Sequence, residues 1–234
     1  MIGSPEAISF PSDNFGPRRN CARPDLIVLH YTAMDSAEGA RDWLCNPEAE
    51  VSAHYVISET GTLWQLVSED MRAWHAGAGA WGGVEDVNSH SIGIEIANTG
   101  SAPFPEPQMA VLEQLLSGIL ARWEIPAHRV IGHSDSAIGR KIDPGARFDW
   151  QRLARRGLSI WPERSVDELD AEAFRRNCAR FGYVAGEGQD SALLNAFRLR
   201  FRPWASGVLD ERDCGLAAEL ARRWPFAPNP ELLA

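Results

Sequence analysis

Two histidines, a lysine and two carboxylates carry the chemistry this chain suggests first. Residues 132–145 read GHSDSAIGRKIDPG and place His133, Lys141 and Asp143 in one segment punctuated by glycine and closed by proline. A loop of that kind, entered from the apolar pair Val130 and Ile131, presents side chains rather than packing them. His30 ends the apolar run of residues 25–30, and Glu95 sits in the middle of residues 91–98, SIGIEIAN. Two imidazoles and a carboxylate are a donor set for a tetrahedral metal such as zinc with one position left open for water. A glutamate in so apolar a strand, at the floor of a cleft, is a candidate for a raised pKa and proton transfer. Plainer readings stand beside these. His30 reads equally as a hydrogen-bonded core histidine, Glu95 as the partner of an arginine, and His133 and Asp143 as turn and capping residues. Spacing alone does not choose, because His30 and His133 lie far apart in the sequence.

The elements that must position these groups follow from periodicity. Residues 25–32, DLIVLHYT, form a continuous apolar run that suits a strand buried on both faces, with His30 at its C-terminal end. In residues 91–98, Ile92, Ile94 and Ile96 alternate with Ser91, Gly93, Glu95 and Ala97, so one face is core and the other is small residues around a carboxylate. Residues 51–57 and 62–67 flank Glu59-Thr60-Gly61 and predict a hairpin. Short helices are expected over 37–44 and 149–156, and a long amphipathic one over 107–123. Residues 71–83 hold Trp74, His75 and Trp81 among glycines, either as the wall of a ligand site or with the tryptophans packed inward.

Residues 157–164 break the pattern and read as a connection. Beyond it, residues 166–183, 190–202 and 213–224 predict three short helices, a unit just able to bury its own core and expected to lean on the first domain. The boundaries are therefore 1–157, a linker at 158–165, and a helical unit at 166–234.

The net charge of −9 argues against nucleic acid or an anionic membrane as the main partner. No apolar run is long enough to cross a bilayer, and the first residues lack the basic start and apolar core of a secretory signal. With Met1 in place, a cytoplasmic location is expected; removal of a leader would instead put the protein in the periplasm or at the outer membrane. Cys21, Cys45, Cys178 and Cys214 are too few and too scattered for a disulfide framework and read as reduced.

The motifs LHYT (29–32), VSAHY (51–55), AWHAG (73–77), SIGIEIAN (91–98) and GHSDSAIGRKIDPG (132–145), in that order, resemble the zinc-dependent N-acetylmuramoyl-L-alanine amidases of the type-2, AmpD/AmiD-like family. The resemblance covers roughly residues 20–160. FGY (181–183) and AFRLRFRP (196–203) are similar to the helical peptidoglycan-binding domain that part of the family carries.

The resemblance implies an α/β fold like that of the peptidoglycan recognition proteins, a mixed central β-sheet flanked by helices, followed by three C-terminal helices. It implies one zinc ion held by His30, His133 and Asp143, with Glu95 and Lys141 as catalytic residues. It places Arg72, Trp74, His75 and Asn88 along the substrate and His54 close to the site. The implied reaction is hydrolysis of the amide between N-acetylmuramic acid, or its 1,6-anhydro form, and L-alanine of the stem peptide. A recognition module that binds peptidoglycan fragments without cleaving them is the rival, together with a zinc amidase for another acylated peptide.

Overall fold

The structure is a computed structural model that describes residues 1–226 apart from Ala22, Arg164, Ser165 and Asp167. Its strands are β1 (Ile8–Ser9), β2 (Phe15–Gly16), β3 (Leu26–Tyr31), β4 (Tyr55–Ile57), β5 (Leu63–Gln65), β6 (Arg72–Ala73), β7 (Ser91–Ile96) and β8 (Val130–Gly132). Its helices are α1 (Ala37–Cys45), α2 (Val87–His90), α3 (Glu106–Trp123), α4 (His133–Ser136), α5 (Trp150–Arg155), α6 (Ala171–Phe181), α7 (Asp190–Phe201) and α8 (Glu211–Arg223).

The main sheet has the order β1-β5-β4-β7-β3-β8. It is mixed, because β3 runs parallel to β7 and β8 and β4 parallel to β7, whereas β4 and β5 form the expected antiparallel pair. A parallel sheet must be covered on both faces. On one face Ile27, Leu29, Ile92, Ile94 and Ile96 pack with Leu112, Leu116 and Ile119 of α3. On the other, Leu26, Val28 and Ile131 join Phe174, Phe181, Phe197, Phe201 and Leu220 of α6, α7 and α8 in one continuous cluster. Helix α1 and Trp64 cover the β4–β5 end.

The C-terminal helices thus complete the second face of the sheet. Residues 158–165, read as a linker, carry Leu158 and Ile160 into these cores, and residues 164 and 165 lie outside the described residues. Residues 227–234, the last of the 166–234 unit, also lie outside them. Helix α6 begins five residues later than the apolar pattern suggests, because the Asp170 side chain accepts from Ala173 N–H and sets the N-cap. Helix α8 begins two residues earlier, with Asp210 capping it. No helix among the described residues is long and apolar enough to cross a membrane.

Candidate active site

Register places the site. His30 of β3 is the direct partner of Glu95 of β7, and Leu29 of β3 the partner of Gly132 of β8. Paired residues on neighbouring strands point to the same face, so Glu95 and His30 stand side by side where the strands end. His133 follows at the first residue of α4. The loop after α4 returns Asp143 to the same point, tied by Ser134 N–H donating to Asp143 O at 2.9 Å.

His30 Nδ1, His133 Nδ1 and Asp143 Oδ2 form a nearly equilateral triangle, with edges of 3.0, 2.9 and 3.0 Å. All three residues are buried. The surrounding hydrogen bonds assign the ring protons. His133 Nε2 lies 2.8 Å from Ala76 O, which can only accept, so Nε2 carries a proton and the neutral ring would hold its lone pair on Nδ1. Ser91 Oγ–H donates to Val87 O at 2.6 Å, which leaves the Ser91 oxygen to accept from His75 Nε2–H at 3.2 Å. His75 Nδ1 then accepts from His30 Nε2–H at 3.0 Å, and His30 Nδ1 is left with its lone pair. Burial first, then His133, lowers the His30 pKa to about 4, against the pull of Asp143, so the ring is neutral at physiological pH.

In their neutral forms the two imidazoles therefore turn their Nδ1 lone pairs toward one carboxylate oxygen, within 3.0 Å of one another. That arrangement calls for a cation. Ligand atoms around tetrahedral zinc are separated by roughly 3.3 Å, within a few tenths of an ångström of this triangle. The residues present fit the ion.

Glu95 faces the same cavity, and its Oε2 is buried without a hydrogen-bond partner. Burial, then Asp143, pushes its carboxyl well above the usual carboxylate range, while Lys141 pulls the other way. The cavity is about 520 Å³ and is lined by the triangle together with Glu95, Lys141, Trp74 and His75. Lys141 is exposed at its rim. Gly93, between Ser91 and Glu95, lets the His75 ring lie on the strand: a Cβ there would come within 2.4 Å of the ring.

The structure does not bring Arg72, Asn88 and His54 to the cavity wall. Arg72 pairs with Asp86 at 2.9 Å. Asn88 Oδ1 accepts from the backbone N–H groups of His75 and Ala76 at 3.0 and 2.8 Å, fixing the loop that carries both. His54 is fully buried: its Nδ1 accepts from Gly93 N–H at 2.9 Å and its Nε2–H donates to Met71 O at 3.0 Å. Local backbone groups take up Asn88 Oδ1 and both ring nitrogens of His54, so these residues hold the site's frame.

The two tryptophans of residues 71–83 divide. Trp74 lines the cavity, whereas Trp81 is buried against Phe181 and Tyr183. Sequence reading missed Trp43 and Arg140, both on the cavity wall. Trp43 had a signal: Ala37, Ala40 and Leu44 are the inward face of α1, which leaves Trp43 outward and 53% exposed. Arg140 donates to Ala76 O at 2.7 Å and to Ala78 O, strapping down the carbonyl that orients His133.

A mixed sheet with a His-His-Asp corner that could hold a metal ion, beside a glutamate whose Oε2 has no partner among the described residues, fits a hydrolase. The N-acetylmuramoyl-L-alanine amidase family matches residues 20–146, and the chain belongs to that family. It is 32% identical to the N-acetylmuramoyl-L-alanine amidase AmiD of Escherichia coli, over 86% of this chain and 84% of that protein. It is also 32% identical to the 1,6-anhydro-N-acetylmuramyl-L-alanine amidase AmpD of Citrobacter freundii, over 63% of this chain and 88% of that one. The solved complex of Escherichia coli AmiD with anhydro-N-acetylmuramic acid-L-Ala-D-gamma-Glu-L-Lys superposes with a TM-score of 0.79, covering 92% of this chain and 93% of that chain at 30% identity.

Proposed function

We propose that His30, His133 and Asp143 hold one zinc ion, and that Glu95 and Lys141 move the proton and the charge in the reaction of this N-acetylmuramoyl-L-alanine amidase. The enzyme cleaves the amide between N-acetylmuramic acid, or its 1,6-anhydro form, and the L-alanine of the stem peptide, with peptidoglycan fragments as its substrates. The observation that carries the site assignment is the 3 Å triangle of His30 Nδ1, His133 Nδ1 and Asp143 Oδ2 beside Glu95, whose Oε2 has no partner among the described residues.

Zinc, when bound, lowers the pKa of water and polarises a carbonyl oxygen. The residues divide the remaining work. Glu95 Oε2, free of protein partners, accepts the proton of the attacking water and passes it to the departing alanine nitrogen. Its raised pKa suits the uptake of that proton, since a weakly acidic carboxyl is the stronger base. Lys141, an exposed cation lining the cavity, would stabilise the oxygen on which negative charge grows as the amide carbon becomes tetrahedral. Trp74, Trp43 and the exposed Ile142 give the cavity an apolar rim on which a sugar face or peptide side chain settles.

A non-catalytic recognition module would have no use for a half-buried glutamate with an unpartnered Oε2 beside three convergent metal-ligand types. Four free cysteines, two of them only half-buried, support a reducing compartment, and we place the protein in the cytoplasm. The direct test is incubation with anhydromuropeptides, with and without a chelator, read by mass spectrometry. Release of the free stem peptide that stops on zinc removal and returns on zinc addition is expected. Cleavage indifferent to chelator would overturn the zinc assignment.

A further inference from the structure

His133 is held from behind by the C-terminal helices. Asp135, two residues after it in α4, is fully buried, and both its oxygens are taken. Oδ2 accepts from Gly132 N–H at 2.8 Å and from Arg200 Nη1 of α7 at 2.9 Å, and Oδ1 accepts from the Tyr183 hydroxyl at 2.6 Å. The second Arg200 prong donates to Val130 O at 2.8 Å, in the strand that leads into His133. Arg200 is itself 1% exposed and lies over the rings of Trp150 and Phe201.

The same helical unit grips the other segment that sets this imidazole. Trp81 packs against Phe181 and Tyr183, and Gly82 N–H donates to Gly182 O at 2.7 Å. Ala80 N–H in turn donates to Ser136 O at 2.8 Å, joining this loop to α4. That loop supplies Ala76 O, the acceptor of His133 Nε2–H. Helices α6 to α8 therefore bear on both the backbone that carries His133 and the loop that fixes its ring. The family match ends at residue 146, before any of these helices.

We propose that Arg200 is a positioning residue for the metal site and acts through Asp135, so that the C-terminal helices are a structural support of zinc binding in this chain. A buried carboxylate stripped of its cation must draw in water or move toward it, and here that movement displaces a segment carrying a metal ligand. The proposal rests on the zinc reading, and its test separates the two.

The full chain is compared with Arg200→Met and with Arg198→Met. Arg198 makes its buried ion pair with Asp213 inside the helical unit, away from α4. Zinc affinity is measured by chelator competition, folding by thermal melting, and backbone opening by hydrogen exchange over residues 130–137. Arg200→Met is expected to weaken zinc binding about ten- to a hundredfold and to speed exchange in that segment, with kcat at saturating zinc much less affected. Arg198→Met is expected to lower the melting temperature with zinc affinity unchanged. If Arg200→Met melts earlier yet binds zinc like the parent, the arginine is a packing residue and the proposal is overturned. If the parent chain takes up no zinc, the zinc reading fails, and unchanged exchange over 130–137 in Arg200→Met then overturns the support role as well. Should Arg200→Met fail to fold, Arg200→Lys keeps the charge but loses the two-pronged grip, and an unchanged zinc affinity there overturns the proposal equally.

Discussion

Two buried polar clusters meet at α4, and they are built on opposite principles. Around Asp135 both carboxylate oxygens are filled, by an arginine, a tyrosine and a backbone amide. On the other side of His133, two imidazole nitrogens and a carboxylate oxygen face one another and Glu95 Oε2 has no partner among the described residues. Buried polar groups left unpaired cost stability; around Asp135 that cost is confined to Arg200 Nε, whereas the second cluster leaves the triangle and Glu95 Oε2 open. The Asp135 cluster fixes a position; the other keeps atoms available for a cation, water and substrate.

Mutations should separate the two. The largest effect is expected at Asp143. Asp143→Ala removes one corner of the triangle, and metal content and amide hydrolysis should be lost together, as read by metal analysis and peptide release. Retained zinc with a lowered melting temperature would move Asp143 into the class of Asp135. Glu95→Gln comes next. It keeps the shape but not the proton acceptor, and a fall in kcat of about 10²- to 10⁴-fold with zinc still bound is expected. Near-parental turnover would remove Glu95 from the chemistry. A smaller loss, ~10²-fold in kcat with little change in KM, is expected for Lys141→Met if it stabilises charge only as the tetrahedral carbon forms. A change confined to KM would make it a substrate-binding residue instead.

How far the sequence announced all this depends on the length scale of each contact. The apolar run of residues 25–30 was enough to set His30 at a strand end, and alternation in residues 91–98 to turn Glu95 away from the isoleucine face. Glu95 was read as mid-strand, whereas β7 ends one residue after it, and parallel pairing made the two neighbours. His133 and Asp143 were legible because glycine and proline mark a loop that displays its side chains. The partners of Asp135 were not legible, since Arg200 reaches it from another helix and nothing in the string HSDS announces a buried charge. Periodicity likewise could not sort Trp74 from Trp81, because loop residues have no repeating face. Asn88, expected along the substrate, instead accepts from the backbone of the His75 loop, and His54, expected close to the site, accepts from Gly93 N–H behind the His75 ring. The helical unit showed its own apolar faces, but a shared core with the sheet is a property of where those faces land.

A third ionic cluster, flanking the N-terminal ends of β3 and β7, sharpens the contrast with the smallest expected effect. His90, the last residue of α2, lies with Nδ1 3.1 Å from Asp25 Oδ1, and Arg129 pairs with the other oxygen of Asp25. The hydrogen bond to Asp25, and then that to Cys21, raises the His90 pKa to about 9 against the effect of burial. An unfolded histidine titrates near 6.5. Because the folded value is the higher one, the folded chain holds this proton more tightly. The resulting stabilisation is fully present below about pH 6.5 and is lost as pH rises through about 9. Melting temperatures of the parent and His90→Gln, taken at pH 6 and pH 9.5 with zinc removed, should show the parent ahead at pH 6 and the gap closing at pH 9.5. A gap that is the same at both pH values would mean that His90 contributes by packing, with its charge playing no part.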